Sequence, residues 1–216
     1  GDFAEKMLEE GKKELIKAGY NPNLISQIDI EDPKTLPKEK YDSVLALGVF
    51  PHVLKQDQAL RSIGRLLKKG GRAFISFRND LFAAFTLNEY SVDFFLNRVL
   101  NLNAFPEKIR REVINFYGQR LKTKISVKKN KGKVSYTSIM ARFHNPLSLE
   151  KELFLPNGFK IENIHFYHYH ALPPFFDKKY KKLFQRASLK LEKTNDWKGY
   201  LLASAFVVEV KKIKKA

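Results

Sequence analysis

Tyr41–Asn79 reads YDSVLALGVFPHVLKQDQALRSIGRLLKKGGRAFISFRN. Val44–Val49 is an apolar run too short for a helix and bounded by Gly48 and Pro51. Such a run predicts a strand buried on both faces, as in a parallel sheet. Ala59, Leu60, Ile63, Leu66 and Leu67 then recur at helical spacing. Lys68 and Lys69 complement the carboxyl end of that helix, and Gly70 ends it. Ala73–Phe77 begins the next strand. The stretch is one β-α-β unit, and in open α/β sheets ligands sit beyond the carboxyl ends of such strands. Here those ends are Gly48–His52 and Arg78-Asn79.

The stretch resembles the central motifs of class I S-adenosylmethionine (SAM)-dependent methyltransferases. That family shows a D-x-V-x-x-x-x-V-L-x-H strand-turn, then a helix ending L-K-P-G-G. Asp42, Val44, His52 and Leu67-Lys68-Lys69-Gly70-Gly71 match in order and spacing. Pro51 stands where an acidic residue often precedes the His, and Lys69 replaces the usual Pro. The resemblance implies an α/β fold with a Rossmann-like, mainly parallel sheet whose last strand is antiparallel.

Gly1–Leu8, GDFAEKML, is similar to the family's segment at the end of the second strand, D-x-S-x-x-M-L, with Ala4 in place of the small hydroxyl residue. The resemblance places Asp2 on the ribose hydroxyls of SAM, with Phe3 and Met7 beside the adenine. Asp29 then falls where an acidic residue meets the adenine amine, with Ile30 adding backbone and apolar contact. Leu47, Gly48 and His52 complete the implied cofactor set. Because the family's first strand and glycine-rich loop precede this segment, the resemblance implies an N-terminally truncated copy, inactive by itself and weak in SAM binding. Each residue also has a plainer reading. Asp2, three residues before Glu5, fits a cap for a helix whose core face is Ala4, Met7, Leu8, Gly11, Leu15 and Ala18. Asp29 fits a turn carboxylate before Asp32-Pro33, and His52 fits a backbone partner near a helix start.

The chain has 216 residues, 44% apolar, enough for one core. It has no cysteine, which excludes disulfides and thiolate metal sites and permits, without requiring, a reducing compartment; a cytoplasmic location is expected. The longest nearly unbroken apolar run, Tyr200–Val208, is too short to span a bilayer. Forty Lys+Arg against 23 Asp+Glu give a net charge of +17, with lysine clusters at Lys122–Lys133, Lys178–Lys182 and Lys211–Lys215. Such a field favours anionic partners or is simply a solvated surface. No aromatic-basic motif of an RNA-binding module is present. A weak association with anionic surfaces is compatible with the charge.

Leu81–Phe105 is rich in Phe and Leu and predicts a helix from about Ser91, with Phe94, Phe95, Val99 and Leu102 on one side; Glu107–Tyr117 continues as another. Lys124–Val127 and Lys133–Ser138 alternate around Asn130-Lys131-Gly132 as a hairpin. In the family these segments form an insertion, here about residues 80–142 of a single domain, that supplies a lid and substrate pocket. Phe82 and Tyr90, with Arg78 and Asn79, are the candidate acceptor-binding residues, although most of the Phe content reads as packing. Phe143–Glu150 reads as a turn into a helix capped by Ser148 that ends near Gly158. Phe159–Tyr167 follows as a strand, Lys178–Glu192 as a helix and Leu201–Val210 as the last strand. On a regular strand Phe166, His168 and His170 share one face. An H-x-H pair invites a zinc reading. With no cysteine or nearby carboxylate, a polar wall beside a substrate or satisfied structural histidines are favoured, and no metal is expected.

Together these readings point to methyl transfer from SAM to an oxygen or nitrogen of a small molecule, quinone-like or glycan-related. His52, His168 and His170 are the candidates to take the acceptor's proton. An RNA or protein methyltransferase and an inactive partial domain are the alternatives.

Overall fold

The computed structural model describes residues 1–100, 102–121, 142–194 and 196–213. The expected hairpin around Asn130-Lys131-Gly132, the cluster Lys122–Lys133 and the end of Lys211–Lys215 lie outside the described residues. In chain order the elements are α1 (Glu5–Lys17), β1 (Tyr41–Ala46), α2 (Gln56–Leu66), β2 (Leu67–Asn79), α3 (Ala83–Thr86), α4 (Glu89–Asp93), α5 (Glu107–Leu121) and β3 (Phe143–His144). They continue with β4 (Phe159–Tyr169), α6 (Phe176–Lys179), α7 (Lys181–Leu191), α8 (Gly199–Leu202) and β5 (Ala203–Lys212).

Among the described residues the sheet has five strands, ordered β1-β2-β5-β4, with β3 also paired to β2. β1 and β2 are parallel, Ser43 lying opposite Arg72 and Ala46 opposite Ile75. β3 is parallel to β2 as well. β5 runs the other way. Its residues 209, 206 and 203 meet residues 72, 77 and 79 of β2, and its residues 206 and 204 meet 166 and 168 of β4. This is the mainly parallel α/β sheet with an antiparallel last strand that the motifs imply.

The chain divides into two compact units. The first comprises Gly1–Ile75, Glu150–Glu162 and Glu209–Ala216; the second comprises Ser76–Leu149 and Asn163–Val208. In the first, α2 buries Ala59, Leu60, Ile63 and Leu66, the face its periodicity requires. The helix stops at Leu66, earlier than expected, and Leu67 already belongs to β2. Lys68 therefore does not cap a helix; its ammonium pairs with both Asp42 carboxylate oxygens, at 2.9 and 3.0 Å. Gly70 has φ +76°, a conformation a Cβ disfavours, and a Cβ on Gly71 would sit 3.0 Å from the Asp42 carbonyl oxygen. The glycine pair is thus what lets β2 come close to β1. Arg72 joins Glu209, whose carboxylate is buried, and Glu162 at 3.1 Å, tying β2, β5 and β4 together.

Two burial expectations fail in this unit. β1 is not buried on both faces: Leu45 is 67% exposed, and among the described residues β1 ends the strand order. α1 buries only Leu8, while Met7 and Ala18 are exposed. Its N-cap is Ala4, with no side-chain cap; the Asp2 carboxylate instead accepts from the Ala4 N–H at 2.9 Å, one residue before the helix.

In the second unit, Phe77 stacks on Phe206 at 5.6 Å, and Phe206 lies 5.9 Å from Phe166. Asn88 and Ser91 form a reciprocal capping box that starts α4. The next turn, Phe94–Val99, is a π-helix, so Val92 and Leu96 pack against Val113, Ile114, Tyr117 and Leu121 of α5. The wider turn leaves Val99 exposed, against the α-helical expectation. Asn145 rather than Ser148 closes the turn after β3: its Oδ1 accepts from Leu147 N–H, and its carbonyl from Ser148 and Leu149. The expected single helix over 178–192 is split at Tyr180 into α6 and α7.

Replacing Gly71 with Ala forces its Cβ against the backbone of β1 and is expected to destabilise the protein by about 1–3 kcal/mol. Lys69→Ala, on the exposed neighbour, should stay within about 0.5 kcal/mol. Urea unfolding of the two variants beside the unmodified protein measures the difference.

Candidate functional site

In the first unit, hydrogen bonds draw three loops together. Asp2 and Gln27 form a parallel bridge: Asp2 N–H donates to Ser26 C=O at 3.3 Å, and Ile28 N–H to Asp2 C=O at 3.0 Å. Gln27 Nε2 also donates to the Phe3 carbonyl at 3.1 Å. Asp29-Ile30 continues directly from this bridge, so the structure brings together the Asp2-Phe3 and Asp29-Ile30 segments that the sequence separates. Asp29 accepts from Glu31 N–H at 2.8 Å within its turn. Glu31 then joins the third loop, its carboxylate accepting from Lys55 N–H and its carbonyl from Gln58 Nε2. Gln56 Nε2 donates to the Phe50 carbonyl at 3.2 Å, holding the short 3-10 turn Phe50–His52 that follows β1.

Leu47, Gly48 and His52 lie on this third loop, at the carboxyl end of β1; Gly48 has φ +75°, and His52 is exposed with its N–H on the Val49 carbonyl. Asp2 is half-buried, while Phe3, Met7 and Leu47 expose apolar surface. The sequence gives no local signal for Glu31. Its partners are 24 and 27 residues away and are set by the fold.

The second unit holds the remaining candidates. Asn79 is fully buried at the end of β2, its Nδ2 donating to the Tyr200 and Ala203 carbonyls, both at 2.8 Å, and its Oδ1 accepting from Leu81 N–H at 3.1 Å. Its side chain is therefore an internal clamp. Arg78, next to it, is exposed, with its guanidinium 5.9 Å from the Phe143 ring centre. Tyr90 lies 6.3 Å from the same ring. Phe82 is buried against His170, ring centres 4.8 Å apart, and His170 meets Phe184 at 5.3 Å.

The expected shared face of Phe166, His168 and His170 does not form. His168 has φ +54°, which breaks the strand's alternation; it is exposed, Tyr169 is buried and His170 lies beyond the strand end. His170 N–H donates to the Leu202 carbonyl at 2.8 Å, and its Nδ1 is buried without a hydrogen-bond partner. Burial pushes the His170 imidazole below its ordinary value of 6.5, against the nearby Asp177 carboxylate, which raises it, while His168 lowers it further. His144, 4.7 Å from Phe77 and paired in register with Asn79, was not singled out by its sequence context. Among the described residues no three His, Asp or Glu side chains cluster as metal ligands.

Residues 1–75 match the family model described as a methyltransferase domain. The structure is similar to that of a SAM-dependent methyltransferase from Clostridium acetobutylicum, with a TM-score of 0.52 and 9% identity over 98% of this chain and 73% of that one. A SAM-dependent methyltransferase from Mesorhizobium loti gives 0.50 and 12% over 97% and 77%. The fold is that of the class I SAM-dependent methyltransferases. No curated protein sequence matches the chain at a significant level. All of Asp2, Phe3, Met7, Asp29, Ile30, Leu47, Gly48 and His52 fall inside the matched methyltransferase segment, and Arg78, Asn79, Phe82, Tyr90, His168 and His170 fall outside it.

Removing the clamp amide in Asn79→Ala strands two carbonyls and one N–H in the core, and should cost about 3 kcal/mol in chemical unfolding. A second expectation concerns pH. Unfolded His170 takes a proton near its ordinary value, whereas the folded form resists it, so the unfolded state binds more protons and stability falls as pH drops from about 7.5 to 5.5. The loss of melting temperature across that range should be smaller in His170→Gln than in the unmodified protein.

Proposed function

We propose that the protein transfers a methyl group from SAM to an oxygen or nitrogen of a small-molecule acceptor. The observation carrying this reading is that the methyltransferase-domain match, residues 1–75, contains all three hydrogen-bonded loops of the first unit, including the one at the carboxyl end of β1. These residues suit the cofactor. One Asp2 carboxylate oxygen accepts from Ala4 N–H, and in this reading the other would accept from a ribose hydroxyl. Phe3, Met7, Leu47 and Ile30 offer apolar surface for an adenine, and the positive φ at Gly48 lets backbone approach a ligand closely.

Bound SAM supplies an electrophilic methyl group, so the protein's own contribution is binding, orientation and exclusion of water. In the second unit, Phe82, Tyr90 and Arg78 are the residues for an aromatic or apolar acceptor carrying a polar handle. Of the three histidines, His170 is the best suited to take a proton: burial keeps it neutral, and its Nδ1 has no hydrogen-bond partner. His52 and His168 are exposed and serve better as contacts to ligand or backbone. Asn79 acts as a positioning residue for the end of β2.

The decisive measurement is calorimetric titration with SAM, and tritium-methyl transfer to small phenolic and amine acceptors, on the protein expressed from its full reading frame. SAM binding is expected, and Asp2→Ala should weaken it by about 1–3 kcal/mol because ribose donors lose their acceptor. Failure to bind either SAM or S-adenosylhomocysteine would remove the proposal. Unchanged affinity in Asp2→Ala with lowered stability would reduce Asp2 to a loop-shaping residue.

A further inference from the structure

The two sides of α7 differ in character. Phe184 and Ser188 face inward and are buried, and Ala187 and Leu191 flank them, half-buried. On the opposite side Lys182, Arg186, Lys190 and Lys193 line one shallow groove with Gln185 and Leu189. None of these four cations forms a salt bridge among the described residues. The segment Phe175–Lys198 carries eight Lys or Arg against three Asp or Glu. Within it Phe175 is 80% exposed, Trp197 67%, Leu183 62% and Leu189 60%.

Exposed large apolar side chains beside unpaired lysines are poorly suited to water, but they suit a lipid headgroup region, where the ammonium groups meet phosphates and the apolar groups enter the acyl boundary. A nucleic acid would use the charges but gives Leu183 and Leu189 nothing to bury against. We propose that α7 docks the protein on an anionic bilayer surface, lying on it rather than crossing it. No helix among the described residues is long and apolar enough to cross a membrane.

Co-sedimentation of the 216-residue chain with phosphatidylcholine vesicles, with and without phosphatidylglycerol, tests this. Binding is expected only with phosphatidylglycerol. Each cation near such a surface is worth about fivefold in partition, so K182Q/R186Q/K190Q/K193Q should bind several-hundred-fold more weakly. K6Q/K12Q/K13Q/K17Q removes equal charge from α1 and should bind nearly as the unmodified protein does. L183S/L189S should lower vesicle binding yet leave retention on heparin unchanged. Circular dichroism verifies folding, and if the α7 charge variant does not fold, L183S/L189S decides alone. Equal binding to both vesicle types overturns the proposal, as does equal loss in the two charge variants or no effect of L183S/L189S. So does single-stranded RNA bound more tightly than vesicles through the same four cations, which would assign the face to nucleic acid.

Discussion

The first unit is built round one steric constraint: β1 and β2 come so close at Asp42 that a Cβ at position 71 would sit 3.0 Å from the Asp42 carbonyl oxygen and press the backbone apart. The preceding glycine turns the chain with φ +76°, and together the two residues bring β2 into parallel register, Ser43 opposite Arg72. That register carries two consequences along the chain. Lys68, just before the glycines, is left where its ammonium reaches Asp42. Arg72, just after them, reaches Glu209 and Glu162 on the neighbouring strands and pairs with the buried Glu209 carboxylate. The paired glycines are thus a packing requirement first. Their link to the proposed function is that they fix β1, from whose carboxyl end Leu47–His52 emerge.

The loops at that end of β1 are ordered differently. The turn that carries His52 is anchored by the buried Phe50 and Val53 on either side of it, whereas the Asp2 and Asp29 segments bury less. Those two segments are held by a few backbone and side-chain hydrogen bonds, worth about 1 kcal/mol apiece. A bridge of two bonds at Asp2–Gln27 and the two contacts of Glu31 join segments that no sequence-local force would bring together. Such a scaffold is stable only because the sheet fixes where its ends emerge. It also leaves Phe3, Met7 and Leu47 uncovered, which suits a surface meant to receive a flat apolar ligand.

What could be read from the sequence follows the range of the forces involved. The apolar periodicity of Ala59, Leu60, Ile63 and Leu66 and the glycine pair are local, and both locate the β-α-β unit correctly. Burial is a long-range property. An apolar strand implies neighbours on both sides, but Leu45 lies on the last strand of the order and is exposed. Alternation in HFYHYH failed because His168 adopts a left-handed backbone that the pattern does not encode. A single extra residue per turn at Phe94–Val99 turned Val99 outward. Glu31 and His144 escaped notice because their roles rest on partners far along the chain.

The end of β2 shows how one rule of strand geometry divides labour between adjacent residues. Arg78 and Asn79 both sit where α/β sheets present ligand-binding groups, and the sequence offers no ground for separating them. Alternation does: Asn79 points inward, Arg78 outward. The inward amide must satisfy buried carbonyls at Tyr200 and Ala203, and it spends both its donors there. The outward guanidinium keeps its donors available and rests near the face of Phe143, a placement that suits a polar, planar partner. On the proposed reading, Arg78 is the one of the two with chemistry to offer an acceptor. Asn79 holds the strand end in place through the Tyr200 and Ala203 carbonyls and the Leu81 N–H, so that the neighbouring Arg78 leaves the sheet in a fixed direction.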